Sequence, residues 1–155
     1  MGKRLIALLM LPVLVCCLAG CQKQQISDAA SSTILEAEGG FADDLISIKE
    51  KSDAIRISLE QEDLTQTDMN QKSGELRTLW DEALNQLLDE AQKALPEAEL
   101  EQLSAEQSAW QADMMAVVEA AGKAYEGGSL YPLIVNSEAA KLTEERVYHL
   151  YERLK

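Results

Sequence analysis

The chain has 155 residues, with 27 acidic against 14 basic side chains and a formal net charge of −13. Its first 20 residues read as a cleaved leader whose only charges are Lys3 and Arg4, so the remaining 135 residues carry −15. That balance argues against electrostatic binding to nucleic acid or anionic headgroups and favours a cationic partner, while the length suits one compact domain and excludes most multidomain enzymes.

The leader opens with Lys3 and Arg4, continues as an apolar run from Leu5 to Val15, and ends in Leu18-Ala19-Gly20-Cys21. A run this short does not easily span about 30 Å of hydrocarbon at 1.5 Å per residue, and the small residues before Cys21 suit a signal peptidase. Export with cleavage after residue 20 is expected. The tetrad resembles a bacterial lipobox, which implies that Cys21 becomes the first mature residue, carries thioether-linked diacylglycerol, and holds the protein to the membrane through its acyl chains. By analogy with Gram-negative sorting, Gln22 rather than Asp after the lipidated residue implies the outer membrane, facing the periplasm. Cys16 and Cys17 leave with the leader. An acylated Cys21 then leaves no thiol for a disulfide, a metal site or a nucleophile.

Residues 21–40 are rich in Gln, Ser and Ala and end in Gly39-Gly40, the composition of a flexible tether. Phe41, Leu45, Ile48, Ile55 and Leu59 then recur at steps of four, three, seven and four, which predicts a helix over 41–60 within an additional segment, 41–64. The main domain is read over 65–155. Leu76, Leu79, Trp80, Ala83, Leu84, Leu87, Leu88, Ala91 and Leu95 form a second stripe that Pro96 stops. Leu100, Leu103, Trp110, Met114, Val117 and Ala121 form a third, with Gly122 suited to its end. After the loop Lys123 to Ser129, Ser129 is the expected N-cap of a last helical region carrying Leu133, Ile134, Leu142, Val147, Leu150 and Leu154, with Thr143 able to re-cap it at a kink. No alternating two-residue apolar pattern of useful length occurs. The expected fold class is all-α, a bundle of three or four helices.

Five separated pieces, Asp68-Met69-Asn70-Gln71, Asp81-Glu82-Ala83-Leu84-Asn85, Gln107-Ser108-Ala109-Trp110, Tyr125-Glu126-Gly127-Gly128-Ser129 and Leu142-Thr143-Glu144-Glu145-Arg146 with Leu150, resemble in order and spacing the LprI-type lysozyme inhibitors. The resemblance runs from about Thr65 to Leu154. It implies a helical domain exported to the cell envelope that binds lysozyme and blocks cell-wall hydrolysis. The family pattern usually has cysteines near the positions of Lys72, Val118 and Glu138, so a disulfide tying the Gly-Gly-Ser loop to its flanks is absent here. A bridge of that kind is worth about 2–4 kcal/mol, to be offset by packing around Trp110, Val117, Val118 and Leu133.

An occluding inhibitor needs a surface and no chemistry of its own. Tyr125, Glu126, Gly127, Gly128, Ser129 and Tyr131 are the candidate partner-binding loop, since two glycines, a hydroxyl and two aromatic rings dominate recognition loops. The same residues also fit a purely structural turn, with Gly127 and Gly128 at positive φ and Ser129 capping. Trp80 and Trp110 lie on apolar stripes and read as core. Arg146 is expected to pair with a helix-face acid. His149 has no second histidine or nucleophile beside it, so neither catalytic residues, nor a metal site, nor a cofactor is indicated. The expected function is a lipid-anchored envelope protein that inhibits a lysozyme-like muramidase non-covalently. The alternative is a structural or adaptor lipoprotein that docks another envelope protein through the helix 41–60.

Overall fold

The computed structural model describes residues 40–61 and 63–155, so the leader, Cys21 and nearly all of the tether lie outside the described residues. Four α-helices follow in order: α1 (Phe41–Gln61), α2 (Gln66–Ala94), α3 (Glu97–Gly122) and α4 (Tyr131–Leu154), with one 3-10 turn at Lys123–Tyr125. The described residues contain no strand, and the architecture is the expected all-α bundle.

Helix α2 begins ten residues before its first strong apolar position, and the cause is local. Thr65 accepts a hydrogen bond from the Asp68 backbone N–H while the Asp68 carboxylate accepts from the Thr65 N–H, closing a capping box. The Thr65 hydroxyl also donates to that carboxylate at 2.6 Å, and this bond together with the one from the Thr65 N–H pulls the Asp68 carboxyl below the usual carboxylate range. Leu95 and Pro96 join α2 to α3, with Pro96, the expected stop of the second stripe, at the N-cap of α3.

Helices α2 and α4 make the most extensive pair. They run parallel, because contacts advance along both together: Asn70 with Ser129, Arg77 with Asn136, Asp81 with Thr143. Helix α3 returns antiparallel and lies against α4. Helix α1 packs chiefly on α2, antiparallel to it, and also reaches α4 through the Arg56–Glu144 ion pair at 2.5 Å and Phe41 against the Tyr151 ring at 6.0 Å. The apolar side chains Leu76, Trp80, Leu87, Val147, Leu150 and Leu154 fill the centre, and α1 closes it with Phe41, Leu45 and Ile48.

Three polar residues are fully buried in this centre: Ser52, Ser73 and Thr143. Trp80 Nε1 donates to Ser52 Oγ at 3.0 Å, so the one polar atom of the largest core side chain is satisfied by α1. Thr143 neither kinks nor re-caps α4, which runs unbroken to Leu154; its hydroxyl faces Asp81 on α2 instead. The small Thr and Ser side chains let helix axes approach where a larger apolar residue would hold them apart.

Candidate partner-binding surface

The loop after α3 is a tight, exposed turn. Gly128 N–H donates to the Tyr125 carbonyl at 2.9 Å and Tyr131 N–H to the Gly128 carbonyl at 3.2 Å. Gly127 has φ 73°, a conformation that L side chains rarely adopt, whereas Gly128 lies outside that region and is needed because a Cβ there would sit 3.2 Å from the Tyr125 carbonyl oxygen. Asn70 Nδ2 donates to the Ser129 carbonyl at 3.0 Å, tying the loop to the start of α2. Ser129 does not cap α4: Leu130 holds the N-cap position, no side chain bonds there, and Pro132 in the first turn leaves one fewer N–H to satisfy.

Tyr125, Glu126, Gly127, Gly128, Ser129 and Leu130 are exposed. Tyr131 parts from them. Its half-buried ring lies against Gly122, where an added Cβ would come within 2.8 Å of it and 2.6 Å of Val135 Cγ1. Gly122 is itself helical at φ −74°, so it is not the left-handed terminator expected; its missing side chain lets α3 approach α4. The turn therefore presents Tyr125 through Leu130 to solvent and uses Tyr131 to fix its base.

Helix α3 is the least buried element. Among its side chains only Leu103 joins the buried core cluster, with Trp110 half-buried against it, and Val117, expected on the inward stripe, is 45% exposed. Val117 therefore cannot contribute to offsetting a missing disulfide, which leaves Trp110, Val118 and Leu133, all half-buried. Val117 and Met115, 62% exposed, face outward. The reason is that the segment 112–121 is apolar on every side, with Asp113 and Glu119 its only polar residues, so helical spacing alone does not select an inner face.

Arg146 lies under α3 and does not form the expected ion pair. Its Nε donates to Gln107 Oε1 at 3.0 Å, its guanidinium lies 5.7 Å from the Trp110 ring centre, and Nη1 is 3.5 Å from His149 Nδ1. The nearby acid, Glu106, is engaged by Arg153 and Gln102, which hold its carboxyl below the usual range. Burial lowers the Arg146 pKa, with Glu106 opposing that shift, and its Nη2 has no protein partner. Trp110 is thus a half-buried lid over a cation rather than a core residue like Trp80.

The separated sequence pieces prove to be each other's contacts: Asn70 with Ser129, Asp81 with Thr143, Gln107 and Trp110 with Arg146. These bonds brace α2, α3 and α4 around the exposed turn. No group of three or more His, Cys, Asp or Glu among the described residues is placed to hold a metal ion, and none of the described helices is long and apolar enough to cross a membrane. What the fold offers is an acidic, helical scaffold with an exposed turn and a helix, α3, that packs broadly on α4 alone.

A family known as lysozyme inhibitor LprI matches residues 58–150, 93 of the 155, and the chain belongs to that family. The match begins at Ser58, in the last turns of α1, so the family segment comprises α2, α3, the turn and most of α4. Comparison with curated proteins and with solved structures found no match.

Proposed function

We propose that this protein is a lipid-anchored inhibitor of a lysozyme-like muramidase, held to the cell envelope through Cys21 and acting by non-covalent occlusion. Membership of the inhibitor family carries the reading. The exposed turn Tyr125 to Leu130 supplies a contact surface, and the excess of 27 acidic over 14 basic residues complements a cationic enzyme. Anchoring rests on the lipobox Leu18-Ala19-Gly20-Cys21. Two or three acyl chains at about 0.8 kcal/mol per buried methylene give lasting attachment.

The adaptor alternative assigns docking to the helix 41–60, but α1 spends its apolar face inside the bundle: Phe41, Leu45 and Ile48 are buried and Ser52 bonds Trp80. Only Ile46 and Ile57 remain as large exposed apolar groups on it, which favours the inhibitor reading.

The deciding experiment measures release of dye-labelled fragments from purified peptidoglycan by chicken-type, goose-type and invertebrate-type lysozymes, with the detergent-solubilised full chain added at micromolar concentration. Inhibition of at least one, weakening as salt rises and charges are screened beyond about 8 Å at 0.15 M, is expected. Undiminished hydrolysis by all three at low salt removes the reading. Incorporation of labelled palmitate that Cys21→Ser abolishes tests the anchor separately.

A further inference from the structure

The turn Tyr125 to Leu130 is small for an occluding surface, and the structure extends it. From Ala112 to Ala121 the sequence of α3 is apolar except for Asp113 and Glu119, yet α3 packs appreciably on α4 alone. A helix apolar on every side is normally covered on every side. Here Met115 and Val117, two residues apart and so on widely separated sides of the helix, stand 62% and 45% exposed, and Leu130 and Tyr125 in the turn that follows are 41% and 39% exposed. On the Met115 side runs an open groove of about 710 Å³, walled by Met114, Met115 and Val118 of α3 and by Tyr131 and Val135 of α4, with Arg77 at its edge; Tyr131, which fixes the base of the turn, joins the groove to it. Arg77 is countered by Asp81 at 3.4 Å.

Charge selects the occupant. Residues 97–130 hold seven carboxylates and one cation, Lys123; Glu119 lines the groove, and Asp113 and Glu126 are exposed on α3 and in the turn. A second copy of this chain would bring the same carboxylates face to face, so self-association is opposed. An apolar centre ringed by acids fits a partner whose apolar protrusion is ringed by Lys and Arg, with the unbranched Met114 and Met115 side chains adapting to its shape.

Building on the inhibitor reading, we propose that the apolar groove between α3 and α4, rimmed by the exposed Met115 and continued by the turn through Tyr131, forms the principal docking surface for the cationic muramidase. The exposed turn is then one end of that surface rather than the whole of it.

The test uses the full chain in detergent, immobilised, with binding and inhibition measured for the three lysozyme types. Two paired variants at exposed positions separate the contributions. Ala112→Gln with Met115→Gln, both exposed on the groove and three residues apart on one helix face, removes apolar contact without adding charge, and is expected to weaken binding at least about tenfold, mainly through faster dissociation. Asp113→Lys with Glu119→Lys is expected to slow association and flatten its salt dependence. Helicity and melting temperature should match the parent chain in both, which removes misfolding as a cause. If the parent chain binds and inhibits while Ala112→Gln with Met115→Gln does so equally well, this surface is wrong and the inhibitor reading stands. If the parent chain neither binds nor inhibits any of the three, the inhibitor reading fails and the surface assignment falls with it. Concentration-dependent dimers of the parent chain that the same pair of substitutions dissolves would show a second copy in the groove and also overturn the proposal.

Discussion

At the scale of single residues, the core depends on a few polar atoms that have only one partner each. Ser52→Ala leaves the Trp80 N–H buried and unbonded, and Trp80→Phe leaves the Ser52 hydroxyl in the same position while removing part of the largest core side chain. Each should cost about 1–3 kcal/mol or more, whereas the double variant should cost less than the two together, because an unpaired buried group is the larger penalty. Denaturant titration of the four proteins of this cycle measures the coupling. Gly122 and Gly127 make a second contrast. Gly122→Ala should destabilise by about 1–3 kcal/mol through collision with Val135 and Tyr131, and Val135→Ala should relieve it. Gly127→Ala has open space around it and should cost about 1–2 kcal/mol through backbone strain, with no neighbour able to compensate. Thermal melts of the three variants distinguish collision from strain.

At the scale of elements, the start of α2 and the middle of α3 are tied by carboxylates, and acid should loosen them. Asp68 in the capping box and Glu106 in the clasp with Gln102 and Arg153 both have folded pKa values below their ordinary ones. The unfolded chain therefore takes up these protons first as pH falls. Their contribution to stability is complete above the ordinary carboxylate range, about pH 4, and is lost as pH falls through the lower folded values. Melting temperature should accordingly decline on acidification below about pH 4. Asp68→Asn should remove part of that decline, and Thr65→Ala should cost about 1 kcal/mol at neutral pH. The element least able to resist such loosening is α3, since it rests on α4 through Arg146, Gly122 and Leu103 and has no other broad support.

At the scale of the whole molecule, α1 belongs to the same core as the family segment. Deleting residues 41–62 would uncover Trp80 and the rings of Tyr148 and Tyr151, which stack near Trp80 and Phe41. Burial of Phe41, Leu45 and Ile48 is worth about 1.5–3 kcal/mol for each side chain. The shortened chain should remain helical, melt at least about 10 °C lower and bind an apolar dye, as calorimetry and fluorescence would record.

The sequence by itself determined the helical segments, and the first of them to within one residue, because period-3.6 apolar stripes and the stop at Pro96 are local properties of the chain, whereas α2 starts ten residues ahead of its stripe, at a capping box. It also disclosed the family, since the five motif pieces keep their order and spacing. Only the tertiary structure decided what those pieces do. Asn70 and Ser129 meet, as do Gln107, Trp110 and Arg146, because α2 and α4 run parallel, a consequence of packing that no spacing along one helix encodes. The same holds for the outward face of α3. Where a helix is apolar all round, its own periodicity is silent, and the neighbours alone choose which side is buried and which stays open to a partner.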